Sequence, residues 1–526
     1  VDYDNNFNGT FLFNSLTCSS PTEGCYSPTA APSQYSVVTG SPQAKLTLFD
    51  ASLYATDEWR IRPNMTLNYG LRLEGQNHIS NHLDVAPRLS FAWGLGKGKT
   101  APKTVLKAGY GIFYDRFTDN LLLNSELLNG VTQQLFQVTG AAAANLYQTC
   151  LAAISALAPC TPSLSGVNPV PSSYQLAPNL HAPYTLQAGA SVERQLSKTA
   201  TLSLTYLNSR GDRQIYLRNI NALPSDVASA PASNVYQYES EGTFKQNNFI
   251  ANFRITVAPR LSLFGYYSLN FADSDLGTGA ASAVSFSGFS SGLTPDSASF
   301  VSESYDPSLD YGRATFDIRD RFATGGTFAL PYAIRLSPFI IASSGRPFDI
   351  QLGQDLNGDS IFNDRPSYGY CTFTTAACRV TPYGTFNLAP AAGYTPIPIN
   401  LGTGPANFTF NLRVSKSFGL GKKLDSNTAQ GGPGGRGGMG GPGGGGGPRG
   451  MGGMGGPGMG LGNAVNNRYS LTVTANARNL FNIVNLAPPN GNLMSPVFGE
   501  STSLAGGPFN SSSANRRIDL QLLFAF

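Results

Sequence analysis

Alternation of polar and apolar residues, sustained over about ten positions at a time, is the strongest constraint on the fold of this chain. Residues 64–74 read NMTLNYGLRLE, with an apolar side chain at every odd position from Met65 to Leu73. Residues 407–415 (NFTFNLRVS) and 468–478 (RYSLTVTANAR) follow the same pattern. Successive side chains of a β-strand point to opposite faces, so each segment predicts a strand with one apolar and one polar face.

The whole chain contains about fourteen such segments. They lie near residues 7–13, 44–60, 64–74, 86–94, 103–115, 182–196, 199–209, 246–257, 260–271, 312–330, 333–343, 406–418, 467–484 and 515–526. Most are long enough for a tilted strand to cross a bilayer, which takes about 9–11 residues. Strands of a soluble β-sandwich, the alternative that alternation alone leaves open, are nearer five or six residues long.

The connections between these strands differ in length in a regular way. Tight turns lie at 62–64, 196–198, 258–260 and 330–332, whereas 14–43, 75–85, 116–181, 210–245, 272–311, 344–405 and 485–514 are mostly long. Short turns on one side and long loops on the other are typical of outer-membrane barrels. Trp59 and Trp93 lie at the short-turn ends, where an aromatic girdle is expected. The predicted fold is therefore all-β, an antiparallel transmembrane β-barrel spanning 1–526.

Composition excludes several other classes. Charged residues make up only 13% of the 526 residues and the net charge is +4, so nucleic acid is not an expected partner. No apolar stretch approaches the 18 or so residues of a helical membrane span. Residues 141–160 are alanine-rich but contain Asn145 and Gln148, which predicts a short helix within the long loop 116–181. The N-terminal segment VDYDNNFNGT has no signal-peptide pattern, so we expect a mature chain or part of a longer one.

The six cysteines form three local pairs. Cys18 and Cys25, Cys150 and Cys160, and Cys371 and Cys378 all fall in predicted long loops. Three loop-closing disulfides are the simplest of the 15 pairings and indicate an oxidising compartment. Zinc is the alternative, but there is no C-x-x-C motif to support it.

One loop carries a candidate metal site. In GQDLNGDSIFNDRP (353–366), Asp355, Asn357 and Asp359 alternate like positions 1, 3 and 5 of a calcium loop. The Ile361 carbonyl and either Asn363 or Asp364 would complete the oxygen ligands. The bidentate glutamate is missing and Pro366 occupies its place, so an Asx-rich turn satisfied by its own backbone is the alternative. The candidate ligands are Asp355, Asn357, Asp359 and Asp364 in the long extracellular loop 344–405.

A glycine- and methionine-rich tract, 431–462, is predicted to be a disordered periplasmic insert. It contains Met439, Met451, Met454 and Met459, which raises copper(I) as an alternative to a flexible tether. The paired histidines His78 and His82 favour a polar loop over a metal contact. We find no catalytic constellation, so the chain is not expected to be an enzyme and no cofactor is required.

Charged residues also mark the predicted strand 312–330. Arg313, Asp317, Arg319 and Arg321 share one face and predict an ion-pair ladder on the lumen side. Asp320 falls on the apolar face with Phe316, Ile318 and Phe322. Because a charge at the middle of a bilayer is costly, Asp320 is expected near the outer rim.

Several segments resemble the C-terminal barrel of TonB-dependent outer-membrane receptors, most closely the Oar-like subgroup. They are YATDEWRIRPNMTLNYGLRLE (54–74), APRLSFAWG (86–94), KAGYGIFYDRF (107–117), YGRATFDIRDRF (311–322), RLSPFIIASSGRPFDIQLGQDLNGDSIFNDRP (335–366) and the terminal RRIDLQLLFAF (516–526). The resemblance implies a twenty-two-stranded barrel around a plug, with a TonB box before it; neither plug nor TonB box is recognisable in this chain.

The resemblance also implies function and partners. A ligand would bind at the extracellular loops and enter the periplasm by energy-coupled uptake through the TonB complex, which would act on the missing N-terminal part. The other implied partners are outer-membrane lipid and the barrel-insertion machinery, which would recognise the strand ending at Phe526. A plug-free porin-like or export channel and a surface adhesion or assembly protein are the alternatives for function, and a soluble all-β binding protein is the alternative for fold.

Overall fold

The structure is a computed structural model. It describes residues 6–13, 31–96, 102–117, 119–155, 160–223, 232–257, 260–276, 299–369, 378–391, 393–423, 467–505 and 514–526. The predicted insert 431–462 with its four methionines, and Cys18, Cys25 and Cys371, lie outside these residues. No helix in the described ranges has the length and apolarity of a transmembrane helix.

The described residues form twenty-three strands and two α-helices. In chain order they are β1 Thr10–Leu12, β2 Gln34–Gly40, β3 Asp50–Arg62, β4 Met65–Gln76, β5 Asp84–Leu95, β6 Thr104–Tyr114, α1 Asp119–Leu127, β7 Gln133–Thr139, α2 Gly140–Ser155, β8 Val170–Leu176, β9 Tyr184–Ser197, β10 Ala200–Asn219, β11 Asn234–Thr256, β12 Leu261–Ser274, β13 Gly312–Arg313, β14 Asp320–Leu330, β15 Ile334–Ser343, β16 Pro347–Phe348, β17 Ser367–Tyr368, β18 Cys378–Thr381, β19 Gly384–Asn387, β20 Gly402–Thr403, β21 Asn407–Lys423, β22 Asn467–Arg478 and β23 Arg517–Ala525. A 3-10 helix spans Pro307–Asp310.

Eighteen strands belong to one sheet. Five of them (β1, β2, β7, β8 and β13) are short and join the sheet at the ends of the longer strands β11 and β12. The remaining thirteen form a wall in the order β3, β4, β5, β6, β9, β10, β11, β12, β14, β15, β21, β22, β23. Each wall strand is antiparallel to its neighbours. The predicted all-β, antiparallel class is confirmed.

The register of the wall separates an apolar outward face from a polar lumen face. In β23 the side chains of Ile518, Leu520 and Leu522 are 61%, 79% and 70% exposed on the outward face. The residues paired with them on the neighbouring strand β22 are Ala477, Ala475 and Val473, which are all apolar. Exposed apolar surface on this scale marks a membrane-facing surface, so the alternating residues lie as predicted.

β3 and β23 are the two edges of the wall; among the described strands each has one wall neighbour, β4 and β22 respectively, and no second one. Because thirteen strands alternate in direction, the first and last run the same way. Direct pairing of β3 with β23 would therefore be parallel. An all-antiparallel ring needs an odd number of further strands between these edges.

Two of the strand predictions were wrong. Residues 7–13 contain only β1, which pairs with β2 outside the wall. The predicted strand 312–330 is broken, because the chain turns at 314–319 and β14 begins at Asp320. Phe316 and Ile318 therefore leave the outward face, and both are buried; Phe316 packs against Phe244 and Leu276.

Segments that join the outer ends of the wall strands pack into what we call the outer loop layer. It contains β1, β2, β7, β8, β13, β16–β20, α1, α2, the 3-10 helix and residues 479–505. Hydrophobic cores form within it; Phe117, Leu122 and Tyr236 are buried in one, and Ile350 and Leu352 in another.

The disulfide prediction is confirmed at one pair. Cys150 and Cys160 are joined by a disulfide that closes the C-terminal part of α2. Cys378 is also disulfide-bonded. The described cysteines include no free thiol.

Candidate functional site

The Asp/Asn-rich motif folds as a compact turn inside the outer loop layer. Asp355 accepts hydrogen bonds from three backbone N–H groups, those of Gly358 at 2.7 Å, Asp359 at 3.1 Å and Ser360 at 2.9 Å. Ser360 has a positive φ of 66°, which the surrounding hydrogen bonds hold in place. The carboxylate therefore replaces the missing backbone acceptors of a tight turn.

Two further carboxylates attach this turn to its surroundings. Asp359, which is 1% exposed, accepts hydrogen bonds from the N–H groups of Ile361 at 2.9 Å and Ser304 at 3.3 Å. Asp364 is 4% exposed, and one of its oxygens accepts from the N–H groups of Leu356 and Asn357. The motif is thus built into the layer by buried hydrogen bonds.

The turn packs against the segment that precedes β13. Asn357 Nδ2 donates to the Ser302 carbonyl at 3.0 Å and to Glu303 at 3.3 Å. Asn363 Nδ2 lies 3.2 Å from the Val301 carbonyl. These contacts, each between residues more than fifty positions apart, join residues 299–310 and 355–365 into a single polar cluster.

Burial dominates the electrostatics of this cluster. It raises the pKa of Asp359 to about 8, with a further rise from the charge of Asp355. It likewise raises the pKa of Asp364 to about 8, opposed by the hydrogen bond from Leu356. Burial also raises the pKa values of Asp355 and Glu303. No ion pair among the described residues includes any of these four groups.

One basic residue is buried beside the cluster. Arg365 Nη2 lies 2.9 Å from Asp310 Oδ1, and the two side chains are 0% and 1% exposed. Asp310 also accepts the N–H of Ser302 at 2.7 Å. The Nε and Nη1 atoms of Arg365 have no hydrogen-bond partner in the described part of the chain. Sequence reasoning missed this pair because its members are fifty-five positions apart.

The structure brings the four predicted calcium ligands, Asp355, Asn357, Asp359 and Asp364, into one loop. Their oxygens accept backbone N–H groups, as the Asx-turn alternative predicts. Within the described ranges, no three His, Cys, Asp or Glu side chains surround a common point suited to a metal. Calcium at these residues stays a prediction. His78 and His82 contact the carbonyls of Thr47 and Gln76 instead of a shared ligand.

The lumen face of the wall carries paired charges below the cluster. Arg72 lies 2.7 Å from Glu74, and Lys107 lies 2.9 Å from Glu193 on the neighbouring strand. The predicted ladder near 312–322 exists in a different form. Arg313 and Arg319 both contact the fully buried Asp317, at 2.7 and 2.9 Å, within the turn before β14.

Asp320 lies where the sequence predicts it. It is the first residue of β14, at the outer rim and on the outward side, and accepts a hydrogen bond from the Tyr267 hydroxyl at 2.6 Å. Arg321 faces Ser268 across the strands on the lumen side. The outer loop layer and the charged lumen wall together form the candidate site.

Comparison with known families decides the class of this protein. The model of the family described as "Outer membrane beta barrel domain" matches residues 1–81 and 75–427. The chain belongs to this family. It is an outer-membrane β-barrel domain of a Gram-negative bacterium, which agrees with the predicted location.

Solved structures of outer-membrane proteins resemble this barrel domain. The outer membrane transporter YddB from Escherichia coli is 12% identical, with a TM-score of 0.48 over 94% of this chain and 47% of that one. A mutant ferric enterobactin receptor, PfeA from Pseudomonas aeruginosa, is 10% identical with a TM-score of 0.46, over 99% of this chain and 48% of that one. The siderophore receptor PirA from the same organism is 10% identical with a TM-score of 0.39, over 86% of this chain and 51% of that one. The barrel domain spans about half the length of these chains. No curated protein matches it.

Proposed function

We propose that this barrel domain is the C-terminal part of a TonB-dependent receptor of the Oar-like subgroup. The ligand binds at the outer loop layer and passes to the periplasm with energy supplied by the TonB complex. The observation that carries this proposal is the folded state of that layer. Its hydrophobic cores and buried polar cluster present a fixed surface above the lumen, as a selective binding site requires.

The open wall supports a barrel larger than thirteen strands. An antiparallel ring needs an odd number of added strands, and the nine that would complete twenty-two satisfy this condition. A small porin made only of these strands would have to close through the parallel contact of β3 and β23. We therefore infer that further strands of the full protein complete the ring and that a plug fills its lumen.

The residues of the wall suit the passage of polar solutes. Ion pairs such as Lys107 with Glu193 keep the lumen hydrated without leaving a single strong charge to trap a ligand. The TonB complex would act on the N-terminal part of the full protein. This division gives the loops the task of recognition and the plug the task of release.

A comparison of three strains tests this function. Wild type, a strain lacking this gene and a strain lacking TonB are grown in the same complex medium, and the compounds left in each medium are measured by mass spectrometry. The proposal predicts at least one compound that both mutants leave behind. A compound left only by the strain lacking this gene would indicate a passive channel instead.

The adhesion alternative gives a third result. A strain lacking this gene would then consume the same compounds as wild type but would lose attachment to surfaces or to other cells. Planar-bilayer conductance of the purified full-length protein provides an independent check. A steady open pore in the unmodified protein would contradict a plugged receptor.

A further inference from the structure

An acidic side chain lies on the outward, apolar face of strand β3. Asp57 is opposite Tyr69 in β4, and the outward positions on either side of it along β3 are Ala55 and Trp59. Leu53 and Trp59 are 72% and 56% exposed, as expected for side chains that contact lipid. Asp57 therefore interrupts an apolar surface.

Among the described residues, the carboxylate of Asp57 has hydrogen-bond donors but no cation in contact. The Tyr69 hydroxyl donates to Oδ2 at 2.7 Å, and the Glu58 N–H donates to Oδ1 at 2.9 Å. No ion pair in the described part of the chain includes Asp57. A carboxylate that faces lipid is costly unless a positive charge lies beside it. We therefore expect a positive group to contact Asp57.

A groove runs across the outward face beside this carboxylate. It has a volume of about 530 Å³ and is bordered by Asp57, Tyr69, Leu71, Leu89 and Tyr110, together with the short side chains Ala55 and Pro87. Tyr69, Leu71, Leu89 and Tyr110 are 45–50% exposed. The groove is thus apolar along its length and acidic at one end.

Of the described residues that border the groove, Arg88 alone is basic, and it points away from the groove. The Arg88 guanidinium lies over the Phe113 ring at 4.6 Å. Phe113 pairs with Thr185 on the lumen face of the wall. Arg88 therefore does not neutralise Asp57.

Asp57 lies just below the headgroup level of the periplasmic leaflet, within reach of a headgroup that bends towards the protein. Trp59 and Trp93 lie near the short-turn ends of their strands, where aromatic belts mark the membrane surface. A rise of about 3.3 Å per residue along a strand tilted by about 40° places Asp57 roughly 5 Å deeper than Trp59. Above it, Ala55, Leu71 and Pro87 extend towards the bilayer centre.

We propose that this groove is a site for a phospholipid of the periplasmic leaflet whose headgroup carries a primary ammonium. The ammonium donates to Asp57 and replaces the missing cation. One acyl chain lies along Ala55, Leu71 and Pro87. Phosphatidylethanolamine has this chemistry, whereas the quaternary ammonium of phosphatidylcholine has no N–H to donate.

Quenching of Trp59 fluorescence tests the site in the full-length protein. The protein is reconstituted into phosphatidylcholine vesicles containing either phosphatidylethanolamine or phosphatidylcholine with brominated acyl chains. Subtracting the signal of the Trp59→Phe variant isolates Trp59, which is two residues from Asp57 on the same face. We expect brominated phosphatidylethanolamine to quench at roughly five-fold lower mole fraction, the factor that corresponds to the upper end of the range for an exposed ion pair.

Substitutions locate the preference. Asp57→Asn should abolish it, whereas Asp320→Asn, which changes a carboxylate hydrogen-bonded to a tyrosine at the opposite rim, should leave it intact. Equal quenching of the wild type by the two lipids would overturn the proposal, even if Asp57→Asn failed to fold. A preference that survives in folded Asp57→Asn would overturn it as well.

Discussion

The buried pair of Arg365 and Asp310 makes a sharp prediction about the outer loop layer. Replacing Asp310 by asparagine removes the carboxylate that contacts the Arg365 guanidinium, which stays charged and 0% exposed. Breaking a buried ion pair in this way costs about 3–5 kcal/mol. The Arg365→Met change should cost less than this, because Asp310 keeps hydrogen bonds from the N–H and hydroxyl of Ser302.

The double variant, Asp310→Asn with Arg365→Met, is expected to lose less stability than the sum of the losses of the two single variants. Arg365 already leaves Nε and Nη1 unsatisfied, so the wild-type pair holds two buried donors at a cost of about 1–3 kcal/mol each. Methionine fills a similar space without those donors, and asparagine at 310 can still accept a hydrogen bond from Ser302. The coupling between the two substitutions should therefore reach at least about 2 kcal/mol.

Hydrogen exchange of the purified full-length protein in micelles measures these costs locally. The amide of Val301, which donates to Leu217 at 3.0 Å beside the pair, reports opening of the layer. Asp306→Asn is the matched control, since this exposed carboxylate caps Ser308 in the same layer. Additive effects of the two buried substitutions would refute the reasoning, because the residues would then not interact.

Four further outcomes follow from the structure. In EDTA, Asp364→Asn should slow exchange at the Leu356 amide, and more at pH 8 than at pH 5, because a carboxyl whose pKa is raised to about 8 destabilises the fold as pH rises from about 4 to about 8. Calcium added to the wild type at pH 8 should give similar protection if the motif binds it; unchanged exchange would contradict a calcium site. Phe526→Ser should lower the amount of heat-modifiable protein in the outer membrane, since this side chain lies just after β23, is 94% exposed and stacks only against its near neighbour Phe524 among the described rings. Cys150→Ser should destabilise the Cys150–Cys160 segment by about 3 kcal/mol, seen as faster proteolysis of α2 under oxidising conditions only.

The strands of the wall could be predicted from the sequence because each strand's pattern of apolar and polar residues depends on that strand alone. A strand such as β4 needs one apolar and one polar face, and alternation from Met65 to Leu73 records both directly. The first residue of β14 could not be predicted in this way. Phe316 and Ile318 continue the alternation, but both are buried, and Phe316 packs with Phe244 of β11 and Ala272 of β12, which are distant in sequence.

The candidate site was predictable only in part for the same reason. The acidic motif from Asp355 to Asp364 is contiguous, so its turn could be foreseen. Its partners Ser304 and Asn219 come from another loop and from the end of β10, and nothing in the local sequence pattern of either segment identifies them. Asp57 belongs to a strand that was predicted correctly, yet its lack of a cation became visible only in three dimensions.

The common direction of β3 and β23 restricts how such a barrel can change during evolution. Loss or gain of one strand would reverse every strand after it and move the disulfide-bearing loops to the periplasmic side. Loss or gain of a hairpin keeps both edges oriented as they are. Relatives of this wall should therefore differ in size by pairs of strands, with each duplication or deletion boundary falling in loops on the same side of the membrane.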